Sequence, residues 1–126
     1  MSKAFVPYRL PYSTISERAI KTAGIDKITA GYTTLYSFIN SLSAGTVIHA
    51  NSWNPPSNLT DLPAKPSSKS VGVALDIVKG ENSSLYYDTV VLRYSEKDTN
   101  ILYEYHGHMN GGETGISWSQ LSFVTS

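Results

Sequence analysis

The sequence predicts a mainly β fold: an antiparallel sheet or small β-sandwich of about five strands, with one or two short helices. Three observations carry this. Val71, Val73, Leu75 and Ile77 alternate with Gly72, Ala74, Asp76 and Val78, the period of two that marks a half-buried strand. Turn-forming clusters, Gly80-Glu81-Asn82-Ser83, Glu96-Lys97-Asp98-Thr99-Asn100 and Gly107 to Gly115, punctuate the chain after Val71, as in an antiparallel meander. One stretch has clear helical spacing: Leu35, Phe38, Ile39 and Leu42 fall at i, i+3, i+4 and i+7.

Residues 1–32 read as an irregular segment, and residues 33–126 as the β-rich domain. Phe5 to Tyr12 holds Pro7 and Pro11, which remove donors and keep their predecessors extended. Ser16 to Ala23 reads as a short helix, capped by Ser16 and stopped by Gly24. A helix so short needs something to pack on, and another protomer is one option. Thr33 or Thr34 can cap the next helix, and Gly45 lies just past its end. Thr46 to Ala50 reads as a strand. The stretch Asn51–Ser70 then reads as a long loop, with Pro55, Pro56, Pro63 and Pro66 holding it in an extended path. Beyond Val71–Val78, a strand over Leu85–Tyr94 has the faces Leu85/Tyr87/Thr89/Val91 and Tyr86/Val90/Leu92/Tyr94. Ile101 to His106 returns antiparallel to it, and Gly107 to Gly115 reads as a glycine-rich loop. Ile116 to Val124 is the last strand. Its apolar set shifts from Ile116 and Trp118 to Leu121 and Phe123, which predicts a bulge near Ser119-Gln120.

Composition narrows the function classes. With 126 residues the chain suits one domain with its own core. It has no cysteine, which removes disulfides, thiolate metal sites and thiol nucleophiles. Ten basic residues balance ten acidic ones, so no electrostatic footprint for nucleic acid or an anionic membrane exists. No run of about 18 apolar residues is present to insert in a membrane, and the N-terminus lacks the pattern of a secretory signal. Nine tyrosines, with abundant Ser, Thr and Asn, fit a surface that binds by aromatic contact and adaptable hydrogen bonds. They equally fit strand propensity alone.

Among the candidates for chemistry, Asp76, Asp88 and Glu104 could supply paired carboxylates for sugar hydrolysis; alternatively, they are polar residues on the outer face of strands. No nucleophile elbow, P-loop or zinc-helix motif occurs. The expectation is therefore a non-enzyme without cofactors. His106 and His108 point the same way on an extended strand and could ligate a metal; two ligands alone are few for a tight site, and a solvent-exposed pair is the alternative. Trp53 is flanked by Asn51, Ser52 and Asn54. An indole face with amides around it is suited to hold a sugar ring; a Trp that anchors the loop to the core is the other reading. Tyr103, Tyr105 and His106, on the strand feeding the Gly107–Gly115 loop, and Asn110 and Glu113 beside them, complete a candidate ligand surface of Trp53, Asn51, Asn54, Tyr103, Tyr105, His106, Asn110 and Glu113. Both loops are expected at one end of the sheet. The balanced charge favours a neutral glycan over a polyanion.

The order of motifs from Leu35 to Leu121 resembles the knob domains at the tips of bacteriophage and R-type pyocin tail fibres. It runs helix, strand, Asn58-Leu59-Thr60-Asp61-Leu62-Pro63, aliphatic strand Val71–Val78, long hairpin, then Gly115-Ile116-Ser117-Trp118-Ser119-Gln120-Leu121. Three places depart from the pattern: Tyr86-Tyr87-Asp88-Thr89 replaces a Gln-rich strand, Tyr105-His106 stands where an Arg often precedes the last loop, and Leu121 stands where an aromatic is usual. The resemblance implies a homotrimer at the distal end of a fibre, made in a bacterial cytoplasm and acting outside the cell on a virion tail or tailocin particle. It implies contact with a bacterial surface glycan and with other tail-fibre or baseplate proteins. Residues 1–32 would join the shaft or a neighbouring protomer. A structural trimerisation or connector module is the alternative, and a small glycan hydrolase a more distant one.

Overall fold

A computed structural model describes residues 20–81, 88–110 and 115–124. The fold is mainly β. One six-stranded sheet follows chain order: β1 (Ile20–Gly24), β2 (Val47–Trp53), β3 (Val71–Val78), β4 (Thr89–Glu96), β5 (Ile101–Asn110) and β6 (Gly115–Val124). Strands β2 to β6 form an antiparallel meander, and β1 lies parallel to β2 with Ile20 opposite Val47. Two short helices, α1 (Ile25–Ile28) and α2 (Leu35–Asn40), precede β2. Among the described residues there is a single sheet, with the helices as its second layer.

The alternation of β3 builds that arrangement. Val71, Val73, Leu75 and Ile77 are all buried. Register carries the same face into Ile48 and Ala50 on β2, Val90, Leu92 and Tyr94 on β4, and Tyr105 and Met109 on β5. Ile25 of α1, Leu35, Phe38 and Ile39 of α2, and Leu59 of the β2–β3 loop close over this face in one cluster. As the spacing predicts, α2 turns Leu35, Phe38 and Ile39 inward, and the Thr34 hydroxyl caps it by accepting from the Ser37 N–H at 3.1 Å.

The loop from Asn54 to Ser70 is tied down along its length. Asn58 Nδ2 donates to the Thr29 hydroxyl at 3.1 Å and to the Tyr32 carbonyl at 3.3 Å. The Asp61 carboxylate accepts from Leu35 N–H at 2.6 Å and Tyr36 N–H at 3.0 Å, satisfying the first turn of α2. The Asp61 carbonyl accepts from Trp118 Nε1 at 2.9 Å, and the Pro63 carbonyl from the Tyr94 hydroxyl at 2.6 Å. Tyr94 also packs edge-on against Tyr105, with ring centroids 5.6 Å apart. Burial pushes its phenol up to about 12.

Several expectations are corrected. The helix expected over Ser16–Ala23 gives way at Ile20 to β1, because Ile20–Gly24 finds a ladder partner in β2; Ser16 to Ala19 lie outside the described residues. The boundary at residue 32 does not mark the edge of the folded unit, since β1 extends the sheet and Ile25 is fully buried in its core. Strand β2 runs on to Trp53, so the loop starts at Asn54. Gly107 to Asn110 belong to β5 rather than to a loop. No bulge interrupts β6: its pairing with β5 is continuous from Gly115 to Val124. The shift in its apolar pattern instead puts Leu121 on the outer face, where it is exposed. Leu85 to Tyr87, of the expected strand before Asp88, lie outside the described residues.

Two consequences can be measured by denaturant unfolding. Leu75→Ala and Phe38→Ala, at the centre of the sheet–helix contact, should each cost about 2–5 kcal/mol. Gly107 sits under the Trp118 ring, where an added Cβ would come within 3.0 Å of both the indole and Ile116. Gly107→Ala should therefore destabilise by about 1–3 kcal/mol through overpacking.

Candidate functional site

The face of the sheet opposite the core carries His49, Asn51 and Trp53 of β2, Asp76 of β3, Arg93 of β4, Glu104 and His106 of β5 and Leu121 of β6. Its first feature is a cleft of about 360 Å³ where β1, α1 and the end of β2 meet. Trp53, Asn51, Asn54, Asn58 and Asp26 contribute to its lining. Trp53 is 62% exposed, so it is not a core anchor for the loop. Parity explains this: Ile48 and Ala50 point to the core, which turns His49, Asn51 and Trp53 outward. Gly72 stands opposite Trp53 and brings no side chain against it.

Asn54 fixes the end of the strand. Its φ of 68° is left-handed, a conformation Asn tolerates better than most residues. Its N–H donates to the Val71 carbonyl at 2.8 Å, and its Oδ1 accepts from Val71 N–H at 3.1 Å. The Ser52 hydroxyl donates to the Asn54 carbonyl at 2.6 Å. Trp53 is thus presented from a braced strand end, and little ordering would be needed to use it.

The second feature is a chain of charged groups across the same face. Asp76 Oδ1 lies 2.6 Å from His49 Nδ1, and Asp76 Oδ2 accepts from Arg93 Nη1 at 2.9 Å. Arg93 Nε donates to Glu104 at 2.8 Å, and the other Glu104 oxygen lies 2.7 Å from His106 Nε2. Cross-strand pairing produces it: His49 stands opposite Asp76, and Arg93 opposite Glu104. The hydrogen bond from His106, then that from Arg93, holds the Glu104 carboxyl below the usual glutamate range. A carboxyl held ionised in this way is poorly suited to act as a general acid.

The structure separates the candidate ligand residues. Trp53, Asn51 and Asn54 share the cleft. Tyr103 and Tyr105 are on the core side of β5, with Tyr105 buried. His106 is outward, in the charged chain, three strands from β2. Asn110 lies at the other end of the sheet, where its Nδ2 donates to the Ser117 hydroxyl at 2.9 Å and its carbonyl accepts from the Tyr36 hydroxyl at 3.3 Å. Glu113 is outside the described residues. The two loops therefore do not share an end: β2 leaves the sheet at Trp53, level with Leu102 on β5, whereas the β5–β6 connection departs from Asn110. Connections of a meander alternate between ends, so counting strands would have shown this.

His106 and His108 do share the outer face of β5, and no cluster of three or more metal-ligating side chains exists among the described residues. Asp88 departs from the reading as an outer-face strand residue. Its side chain is 1% exposed, accepts from Gly80 N–H at 2.9 Å and pairs with Lys79 at 3.3 Å, bracing the approach to β4. Asp26, which sequence reasoning missed, joins Trp53 only through the parallel pairing of β1 with β2.

The charged chain gives a pH expectation. Because the folded Glu104 value is depressed, its pairing contributes above the ordinary glutamate range and is lost as pH falls through the lowered value. Carbon-detected NMR titration should find a Glu104 midpoint below that of an ordinary glutamate, and His106→Ala should move it upward.

No protein-family model, curated protein or solved structure matches this chain.

Proposed function

We propose that this domain is the receptor-contacting tip of a bacteriophage or tailocin tail fibre, acting as a homotrimer and attaching the particle to a bacterial surface glycan. The observation that carries the ligand reading is Trp53: a large aromatic, mostly exposed, at a braced strand end, beside a cleft lined with amides and hydroxyls. An indole face covers the C–H side of a sugar ring, and the groups around it suit the hydroxyls. The order of motifs from Leu35 to Leu121 supports the tail-fibre assignment. Trp118 contributes to packing: its Nε1 is bonded to Asp61 and its ring covers Gly107.

A connector role has its own support. Val78 and Leu121 are exposed on the same outer face as Trp53, and β6 presents a ten-residue edge with neither charge nor proline, devices that commonly protect edge strands. Such a face and edge suit contact with other fibre or baseplate subunits.

Cell adsorption separates the two. Trp53→Ala should lower adsorption to host bacteria by about tenfold or more, as loss of a binding-site Trp commonly does, with circular dichroism and mass in solution unchanged. Replacing Gly111–Thr114, whose flanks lie at the opposite end of the sheet, should leave adsorption intact. Light scattering should return a trimer. Normal adsorption by Trp53→Ala would leave the connector role standing, and a monomer at micromolar concentration would remove the fibre-tip assignment.

A further inference from the structure

We propose that the Trp53 cleft is selective for a sugar carrying a free primary ammonium, an amino sugar without its acetyl group, with the charge held by Asp26. This rests on the reading of the Trp53 cleft as a glycan site and adds the substrate class. Among the described residues, Asp26 is the one charged residue lining the cleft. It is also, among the described residues, the one carboxylate with no hydrogen-bond or ion-pair partner. Asp61 is held by Leu35 and Tyr36, Asp76 and Glu104 by Arg93, Asp88 by Lys79, Glu96 by Ser67 and Asp98 by Lys97, and Glu81 is also engaged. With the other described acidic groups paired, an unpaired carboxylate lining the same cleft as an exposed indole is a distinct arrangement.

Local structure sets this position. Gly24 ends β1, and a Cβ there would lie 2.8 Å from Asp26 Oδ1. The glycine leaves the space that the carboxylate occupies. Helix α1 has only four residues, so its dipole gives Asp26 little compensation. Lys27 follows Asp26 but is not among the described residues that line the cleft. The other described lining residues are uncharged, with amides, hydroxyls and two prolines besides Trp53. A carboxylate and an aromatic face both attract a cation and disfavour an anion. An ammonium attached to a sugar ring can meet the carboxylate while the ring's C–H face lies on the indole. An N-acetyl group has no charge to offer there, and an acidic sugar would be repelled.

The test is calorimetric titration of the whole chain, at mildly acidic pH where the amine is charged, with three matched oligosaccharides: glucosamine, N-acetylglucosamine and glucose oligomers. The glucosamine oligomer should bind about tenfold more tightly than the other two, the combined scale of an exposed cation–π contact and a surface ion pair. Asp26→Asn should bring the three within about twofold of one another, while Trp53→Ala should weaken all of them. Equal binding of the three by the wild-type chain, or a preference that survives in Asp26→Asn, overturns the amine selectivity and leaves the glycan site standing. Binding of none of them counts against both.

Discussion

The turn from Asn58 to Pro63 is the constraint on which the rest of the structure depends. One short segment reaches four separate elements: Asn58 ties to the end of α1, Asp61 caps α2, the Asp61 carbonyl receives Trp118 of β6, and the Pro63 carbonyl receives Tyr94 of β4. Helices this short would not persist alone. They are held by Leu59 and the strand side chains beneath them, and by a carboxylate that satisfies the first N–H groups of α2. The long connection between β2 and β3 is therefore part of the core layer, and its prolines serve a fixed path.

Concentrating packing on one face leaves the other with a different task. The outer face holds the chain from His49 through Asp76, Arg93 and Glu104 to His106, spread over four strands. Each pair is at least partly exposed, so its contribution to stability is small. Its main physical effect is to neutralise the centre of the face and to fix long side chains in place. Trp53 and Asp26 lie beyond the reach of that network, at the edge where β1 joins. The cleft keeps an aromatic surface and an unpaired charge, while the middle of the sheet has its charges matched.

The two tryptophans show how much parity decides. Both follow a polar residue and sit in strands. Trp118 falls on the core side of β6, over Gly107, and is locked by a hydrogen bond from its indole. Trp53 falls on the outer side of β2, opposite a glycine, and stays exposed. A shift of one residue in either strand would move its tryptophan to the opposite face.

Local pattern settled much of the fold. The alternation over Val71–Val78 and the i, i+3, i+4 spacing of Leu35, Phe38 and Ile39 determined strand, helix and inward face, because each depends on backbone period alone. The turn at Glu96–Asn100 and the amides around Trp53 were legible for the same reason. Tertiary structure decided what depends on partners far along the chain. Parallel pairing of Ile20–Gly24 with β2 leaves no local signature, and without it neither β1 nor the cleft that Asp26 and Trp53 both line exists. The role of Asn58–Pro63 as a clasp required its four partners to be brought together. The separation of the end of β2 at Trp53 from the end of β5 at Asn110 follows from the order and direction of the strands, and so does the dispersal of Tyr105, His106 and Asn110 to the core, the outer face and the far end. A sequence gives each residue its period and chemistry; which residues share a site is fixed only when non-local strand pairing sets their distances.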